Sequence, residues 1–352
     1  MRDNSSATVP VRPVISSPAG VSPTGSLTGS SRAGIWWGLL GVVAFSFTVP
    51  FTRLAVEGLS PLFIGSARAV VAAVLAAAAL LLTRQRLPRG VQWRRLAVGA
   101  AGVVVGFPLL TSFALTSAPA SHGAVVIALL PAATATMAVL HGRERPRVAF
   151  WVATGAGATA AVGFAVAQPG GFGQLHWTDL LFFGAVLAAA VGYAEGGLLA
   201  RELGAWQTIS WALVLASPLM VGLVAFSVSQ QPPSGTPVQW AAFAYLGVVS
   251  MFLGFFAWYH GLAIGPMARV SQVQLAQPVM SICWAALLLG EQLTWAAVFG
   301  GAAVVLCAGA AVRVRLNREP APAVVRGGRR RSAHPVLPPA QAPARRRPPG
   351  LP

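Results

Sequence analysis

The stretch LTSAPASHGAVVIALLPAATATMAVLHGRE (Leu115–Glu144) aligns without a gap on LAIGPMARVSQVQLAQPVMSICWAALLLGE (Leu262–Glu291) when the sequence is shifted by 147 residues. The identical positions are Leu115 with Leu262, Pro119 with Pro266, Val126 with Val273, Pro131 with Pro278, Ala138 with Ala285, Leu140 with Leu287, and Glu144 with Glu291. Both prolines and both final glutamates coincide, and so does the order of the apolar runs around them. We interpret this pattern as an internal duplication.

Long apolar runs surround both stretches. A helix that crosses a membrane needs roughly 20 mainly apolar residues, because the hydrocarbon layer is about 30 Å thick. The chain offers ten such runs: Gly34–Leu54, Pro61–Leu82, Leu96–Leu115, Gly123–His141, Val148–Val166, Leu180–Ala200, Thr208–Val228, Val238–His260, Val270–Leu289 and Thr294–Val312. The sequence therefore predicts an all-α integral membrane protein with ten transmembrane helices.

The composition agrees with this fold class. Only 9% of the 352 residues are charged, and 55% are apolar, whereas a soluble domain carries about 25% charged residues. The net charge of +17 comes from 25 arginines against 8 acidic residues, with no lysine, and most of the arginines lie in short loops and in the C-terminal stretch. Such placement marks one face of a membrane and argues against a nucleic-acid partner.

The arginines of successive loops also predict the topology. The second, fourth, sixth and eighth loops hold Arg84, Arg86, Arg89, Arg94, Arg95, Arg143, Arg145, Arg147, Arg201 and Arg269. The other five loops hold only Arg53. Because positive loops stay in the cytoplasm, both termini are predicted to be cytoplasmic. The membrane is predicted to be the cell (plasma) membrane. Each half then has five spans, and since five is odd the second half enters from the opposite side, as a 5+5 inverted repeat.

These boundaries divide the chain into four parts. We expect a disordered cytoplasmic N-terminal tail at 1–33, repeats at 34–168 and 178–313, and a disordered Arg/Pro-rich cytoplasmic tail at 314–352. The C-terminal tail is predicted to contact anionic lipid head groups of the bilayer. The oligomeric state is open between monomer and homodimer.

The ninth run carries the densest set of polar residues, Ser271, Gln274, Gln277 and Ser281. At 100° per residue they lie along one stripe of a helix, where they either line a substrate cavity or hydrogen-bond to other helices. Pro278 is expected to bend this helix and to free the carbonyl of Gln274.

The facing side of the fourth run is mostly apolar, with Ala124, Ile127 and Leu130, while Thr134 aligns with Ser281 in the repeat. One polar and one apolar wall suit an amphipathic metabolite. Trp258 and Tyr259 either stack on such a substrate or belong to the interfacial aromatic belt.

Two charges lie deeper in apolar runs. Glu195 is either a proton-coupling carboxyl, a member of a structural salt bridge, or a side chain that reaches water at the inner surface. Arg68 is about 12 Å from its membrane boundary, and we expect it to face the bundle interior, in reach of a substrate carboxylate. Glu144 and Glu291 are expected to order helix ends or loops.

The runs ALTSAPAS (114–121), Pro131 and GRER (142–145), with their counterparts WYHGLA (258–263), QP (277–278) and LGEQLT (289–294), resemble the signatures of EamA-type transporters of the drug/metabolite transporter superfamily. The resemblance covers about 34–312. It implies a ten-helix fold with a central cavity, and transport of amino acids or related metabolites, most often outward and driven by an ion gradient. Members of the family often have an arginine at the position of Arg68. The first half departs from the family pattern at His141, where an apolar residue is usual before Gly-Glu.

The resulting hypothesis is a secondary active transporter that exports small polar or amphipathic metabolites with possible proton coupling. The alternatives are an uptake permease or a lipid-linked sugar flippase of the same fold. An intramembrane enzyme is disfavoured, because no catalytic motif, no metal-ligand spacing and no cofactor motif is visible. Cys283 and Cys307 lie singly in apolar runs and are predicted to pack.

Overall fold

The computed structural model describes residues 26–142, 148–166, 176–264, 270 and 273–316, which all lie in one compact unit, Met1–Arg318. All regular elements within these ranges are helices, and we group them as α1 to α10. They are α1 (Ser26–Ser46 and Thr48–Ala55), α2 (Pro61–Leu82), α3 (Val91–Ala100, Ala101–Gly106 and Phe107–Ala114), α4 (Ala120–Ile127 and Leu130–Gly142), α5 (Val148–Val166), α6 (Trp177–Leu203), α7 (Ala205–Gln230), α8 (Pro237–Tyr245, Leu246–Leu253 and Gly254–Ile264), α9 (Ala276–Leu289) and α10 (Trp295–Leu316).

Seven of the described helices are long and apolar enough to cross a membrane, namely α1 to α4 and α6 to α8. The remaining three, α5, α9 and α10, are shorter apolar helices. Large apolar side chains such as Leu82 and Leu306 cover the outside, whereas Arg68 and Asp179 are buried. This distribution suits a protein whose outer surface contacts lipid.

Several observed helix ends differ from the predicted runs. Helix α1 begins at Ser26, inside the stretch expected to be a tail, and α10 continues to Leu316. The run Val270–Leu289 was predicted as one helix, but α9 covers only its last part, Ala276–Leu289, and a turn at Gln274 and Leu275 precedes it. Pro278 explains the late start, because a proline that lacks its N–H is tolerated in the first turn of a helix.

Helix irregularities recur at equivalent places in the two halves. A π-helical segment occupies Ala101–Gly106 in α3 and Leu246–Leu253 in α8, and a shift of 147 residues places the first inside the second. Helix α4 is interrupted at residues 128–129, close to Pro131, just as a turn at 274–275 precedes Pro278. Such breaks change the direction of side chains along a helix and often mark functional sites.

Helix packing has the same paired character. Helix α2 packs on α7, α4 on α9, and α5 on α10, which are equivalent helices in the repeat. Helix α1 packs on α8 as its counterpart α6 packs on α3. At the last interface Gly102 approaches the backbone of α6 so closely that an added Cβ would collide with the carbonyl oxygen of Ala188. Small residues allow helices to approach in lipid, where no hydrophobic driving force brings them together.

Candidate functional site

Two neighbouring cavities lie at the centre of the helix bundle, and Gln277 borders both. The larger, which we call the arginine cavity, has about 390 Å³ of empty volume. It is lined by Phe45, Thr48, Arg68, Val103, Phe107, Pro108, Ala189, Tyr193, Ser250, Met251, Phe255 and Gln277. The smaller, the glutamine cavity, has about 250 Å³ and is lined by Val49, Ala124, Ile127, Leu130, Pro131, Gln274, Gln277, Pro278 and Ser281.

Arg68 supplies the charge of the arginine cavity. Its side chain is 2% exposed, and its two terminal nitrogens donate to the hydroxyl oxygens of Thr52 and Thr111, each over 3.4 Å. The Nε atom has no hydrogen-bond partner in the described part of the chain. No described carboxylate pairs with Arg68 either. A buried guanidinium held only by two long hydroxyl contacts can still bind an anion.

Aromatic rings form the apolar side of the arginine cavity. The ring of Phe255 lies 4.9 Å from Phe45 and 5.9 Å from Tyr193, centroid to centroid. On the polar side, the hydroxyls of Thr48 and Ser250 are hydrogen-bonded to each other at 2.7 Å. The cavity thus combines a fixed positive charge, a hydroxyl pair and an aromatic surface.

The glutamine cavity has one polar and one apolar wall. Gln274 and Gln277 supply amide groups, and among the described residues neither the Nε2 atom of Gln274 nor the Oε1 atom of Gln277 has a hydrogen-bond partner. Ala124, Ile127 and Leu130 of α4 form the apolar wall. Unsatisfied amide atoms beside an empty volume are available to a polar ligand.

The expected role of Pro278 was wrong. The carbonyl oxygen of Gln274 is not free, because it accepts the backbone N–H of Gln277 over 3.0 Å. Pro278 lies in the first turn of α9, so its missing N–H removes no bond from the helix interior. Because Gln274 precedes α9, the predicted helical stripe holds only for Gln277 and Ser281. Ser271 lies outside the described residues.

Ser281 binds another helix as well as lining the glutamine cavity. Its hydroxyl donates to the carbonyl oxygen of Ser46 over 2.7 Å, next to the interruption of α1. The indole N–H of Trp284 donates to the hydroxyl of Ser46 over 3.0 Å. Thr134, the repeat partner of Ser281, borders neither central cavity, and its buried hydroxyl has no hydrogen-bond partner in the described ranges.

Trp258 and Tyr259 are core residues, so the prediction of an interfacial belt was wrong, while stacking on a substrate stays a prediction. They are 2% and 1% exposed, which excludes an interfacial belt, and neither borders a central cavity. The backbone of Trp258 lies against Gly41 of α1, and the Tyr259 ring lies against Gly196 of α6. Gly41 therefore allows α1 to approach the backbone of Trp258, and Gly196 leaves room for the Tyr259 ring. Both glycines belong to helices far away in the sequence.

Glu195 forms an ion pair at the end of the bundle where α3 begins and α6 ends. Its Oε2 atom accepts from Nε of Arg95 over 2.9 Å, and NH1 of Arg95 donates to Glu202 over 2.7 Å. The geometry matches the salt-bridge interpretation of Glu195. Coupling through this residue stays a prediction.

The opposite end of the bundle, where α4 and α6 begin, holds a second polar cluster that sequence reasoning missed. Nε2 of His122 lies 2.7 Å from Oδ1 of Asp179, and both side chains are buried. The carboxylate of Glu291 accepts the backbone N–H groups of Ala120 and Ser121, over 2.7 and 2.9 Å. Glu291 therefore orders a helix end, but that of α4 and not its own; Glu144 lies outside the described residues. Histidine spacing gave no signal, because the partners are 57 residues apart.

Comparisons with known proteins agree on one family. The model of the EamA-like transporter family matches this chain twice, over residues 32–166 and 176–312. The uncharacterized transporter YdeK of Bacillus subtilis is 44% identical over 284 residues, which are 78% of this chain and 96% of that protein. A probable terminal-alkyne amino-acid exporter of Streptantibioticus cattleyicolor is 27% identical over 276 residues, 76% of this chain and 89% of the exporter.

A solved crystal structure shares the fold. It superposes with a TM-score of 0.57 at 20% sequence identity, and the match covers 82% of this chain and 99% of the other. At this identity the likeness supports the architecture alone.

Proposed function

Because this chain belongs to the EamA-like transporter family and is a multi-pass integral membrane protein, we propose that it exports a small amphipathic metabolite with a carboxylate group, an amino acid or a related compound. The members of this family are transporters and not enzymes. The two family matches make it a tandem of two related halves.

The proposed architecture is ten spans in a 5+5 inverted repeat within the plasma membrane. The halves correspond to residues 34–168 and 178–313, with cytoplasmic tails at 1–33 and 314–352. The paired helix contacts and the matching π-helical segments support this arrangement. Equivalent halves around a central site are a recurrent device for alternating access. The end of the bundle where α4 and α6 begin is then the outer end.

The observation that carries the substrate proposal is the buried guanidinium of Arg68. A charge removed from water is costly unless it is paired, and Arg68 has only hydroxyl partners among the described residues. A substrate carboxylate in the arginine cavity supplies the missing partner through charge-assisted hydrogen bonds. The aromatic rings of Phe45, Tyr193 and Phe255 accept the apolar part of the same molecule.

The amide groups extend this site toward the glutamine cavity. Gln277 borders both cavities, so one ligand can reach Arg68 and Gln277 together. The named function of the Streptantibioticus relative, export of an amino acid, supports the same class of substrate for this chain.

Binding to the purified transporter tests the proposal. Apolar amino acids are compared with their amides, which keep size and shape but lack the carboxylate, by calorimetry in detergent or nanodiscs. We expect binding of at least one amino acid and none of its amide. Arg68→Gln should weaken that binding by at least about tenfold, since charge-paired groups contribute about 2 kcal/mol or more.

Two further variants make the test specific. Arg68→Lys keeps the charge but not the planar fork, and it should retain intermediate affinity. Arg201→Gln removes an exposed arginine near the end of α6 and should bind like the parent protein. Equal binding of amino acid and amide, or full affinity in Arg68→Gln, would contradict the carboxylate proposal.

A further inference from the structure

The outer end of α4 is fastened to the second half of the chain by two carboxylates. Asp179 from α6 binds His122, and Glu291 from the α9–α10 connection binds the first backbone N–H groups of α4. Both carboxylates come from the second family match, and α4 comes from the first. The fastened helix Ala120–Ile127 is separated from the rest of α4 by the interruption at residues 128–129.

The same short helix borders the glutamine cavity. Ala124 and Ile127 line that cavity, and they lie within about two helical turns of His122. Movement of the outer end of α4 therefore also moves a wall of the central site. The His122–Asp179 contact lies between that site and the outer surface.

A polar cleft gives the pair access to the outside. The cleft has about 460 Å³ of empty volume and is lined by Pro119, Ser121, His122, Phe164, Glu291, Gln292, Thr294 and Ala297. The rings of Phe164 on α5, which also borders the cleft, and of Phe182 on α6 flank the imidazole at 5.2 and 6.0 Å. The described charged groups at this contact are thus Asp179 and the carboxylate of Glu291. His176, which precedes α6, is a further titratable residue here: it forms a capping box with Asp179, whose Oδ2 atom accepts the His176 backbone N–H over 3.0 Å.

At the inner end of the bundle the two halves are held together by an arginine with two carboxylates, and not by a histidine. There Arg95 of α3 binds Glu195 and Glu202 of α6, again between the two halves. Arginine stays protonated at every physiological pH, whereas histidine gains or loses its proton near neutrality. The outer contact thus contains a side chain of the type that changes its charge near neutral pH, whereas the basic partner of the inner contact is an arginine.

We propose that His122 and Asp179 form a proton-binding latch by which external pH controls the opening of the outer end. The proposal rests on the transport function and topology proposed above. With neutral imidazole, Nε2–H donates to ionised Asp179 and the pair has a net charge of −1. A proton from external water then binds the other ring nitrogen, Nδ1, and gives an imidazolium–carboxylate pair of zero net charge.

The sign of the effect follows from linkage. A buried pair without net charge is more favourable than a buried pair with one negative charge. A proton on the pair therefore favours the closed outer end, in which the partners are in contact, over the open end, in which they are separated and hydrated. By reciprocity, external acid favours closure and external alkali favours opening.

Cysteine accessibility in intact cells tests the latch without a known substrate. In a background with Cys283→Ala and Cys307→Ala, a cysteine replaces Val49, which is 2% exposed and lines the glutamine cavity. A small membrane-impermeant methanethiosulfonate is added outside at pH values from 6 to 8.5. Labelling rates are normalised to Thr116→Cys, an exposed position between α3 and α4, which corrects for the ionisation of thiols.

His122→Gln is the matched variant, because its amide still donates to Asp179 but does not titrate. We expect the normalised rate at Val49→Cys to rise with external pH in the His122 protein, by at most about tenfold per pH unit for one linked proton. The rise should be absent in His122→Gln. Asp179→Asn, which removes the charge of the partner, should also abolish it if His122→Gln does not fold.

A normalised rate that does not change with pH in the His122 protein overturns the proposal without any variant of the pair. An equal rise in a folded His122→Gln overturns it as well. Loss of labelling at Thr116→Cys would instead contradict the topology. Because the readout needs no substrate, these outcomes are independent of the Arg68 binding test.

Discussion

The Nε atom of Arg95 lies 2.9 Å from the Oε2 atom of Glu195, which joins the first turns of α3 to the last turns of α6. The two side chains are 24% and 10% exposed, so water screens the pair only in part. Glu202 shares the same guanidinium. The pair supports a structural role for Glu195 and leaves proton coupling as the rival hypothesis.

Glu195→Gln should lower the free energy of unfolding by about 1 to 3 kcal/mol, because it removes a charged hydrogen-bond partner from a partly buried arginine. Thermal melting in detergent measures the change. Arg95→Gln should cost a similar amount, and the double variant should cost less than the two single variants added together.

Transport distinguishes the rival role of Glu195. If Glu195→Gln melts like the parent protein, loses pH-driven transport and keeps substrate exchange, then the carboxyl carries the coupling proton and the structural interpretation is wrong. Persistent pH-driven transport in this variant excludes Glu195 as the coupling site.

Gly102→Ala should destabilise the α3–α6 interface by about 1 to 3 kcal/mol, since the added methyl group overpacks two backbones. Its Cβ would collide with the carbonyl oxygen of Ala188 and lie 3.0 Å from the nitrogen of Gly192. Gly99→Ala is the matched control, because nothing lies within 4 Å of a Cβ there. Equal melting temperatures of the two variants would show that the interface yields to the methyl group.

Gln277→Leu should weaken substrate binding several-fold to about tenfold, the usual value of one buried hydrogen bond. Gln274→Leu should have a similar or smaller effect, because Gln274 borders only the glutamine cavity. Gln230→Leu, at the exposed end of α7, serves as the control. Unchanged binding together with a lower melting temperature would mean that the glutamines hold helices together.

Labelling from outside intact cells checks the proposed orientation. A cysteine at Gly173, outside the described residues, should react with an impermeant thiol reagent, and a cysteine at Gln85 should not. Gln85 follows α2, near arginines that are predicted to stay in the cytoplasm. The reverse labelling pattern would refute the topology and with it the assignment of the outer end.

The approximate positions of the apolar helices could be predicted from the sequence, and so could the polar residues Arg68 and Gln277, because both depend on local composition. The hydroxyls of Thr48 and Ser250 were not predicted, because only packing brings them to the arginine cavity. Pro278 shows the limit: its position in the first turn of a helix or in the interior depends on where the helix starts, which packing decides. The close approach of α1 to the backbone of Trp258 depends on Gly41, which lies in a distant part of the sequence. The His122–Asp179 contact joins the two halves, and no spacing within one run reveals such a pair.

The two helices that correspond to each other in the repeat, α1 and α6, differ in stiffness. Helix α6 is one unbroken rod of 27 residues, with Asp179 near its first turn and Glu202 in its last. Helix α1 is jointed at Phe47, whose ring stacks on Trp284 with centroids 4.5 Å apart. A force applied at either end of α6 is transmitted along its whole length, whereas α1 bends at its joint. We therefore expect the bending that accompanies a transport cycle to concentrate around Phe47. The first half of the chain, which contains α1, would then deform more easily than the second half, which contains α6.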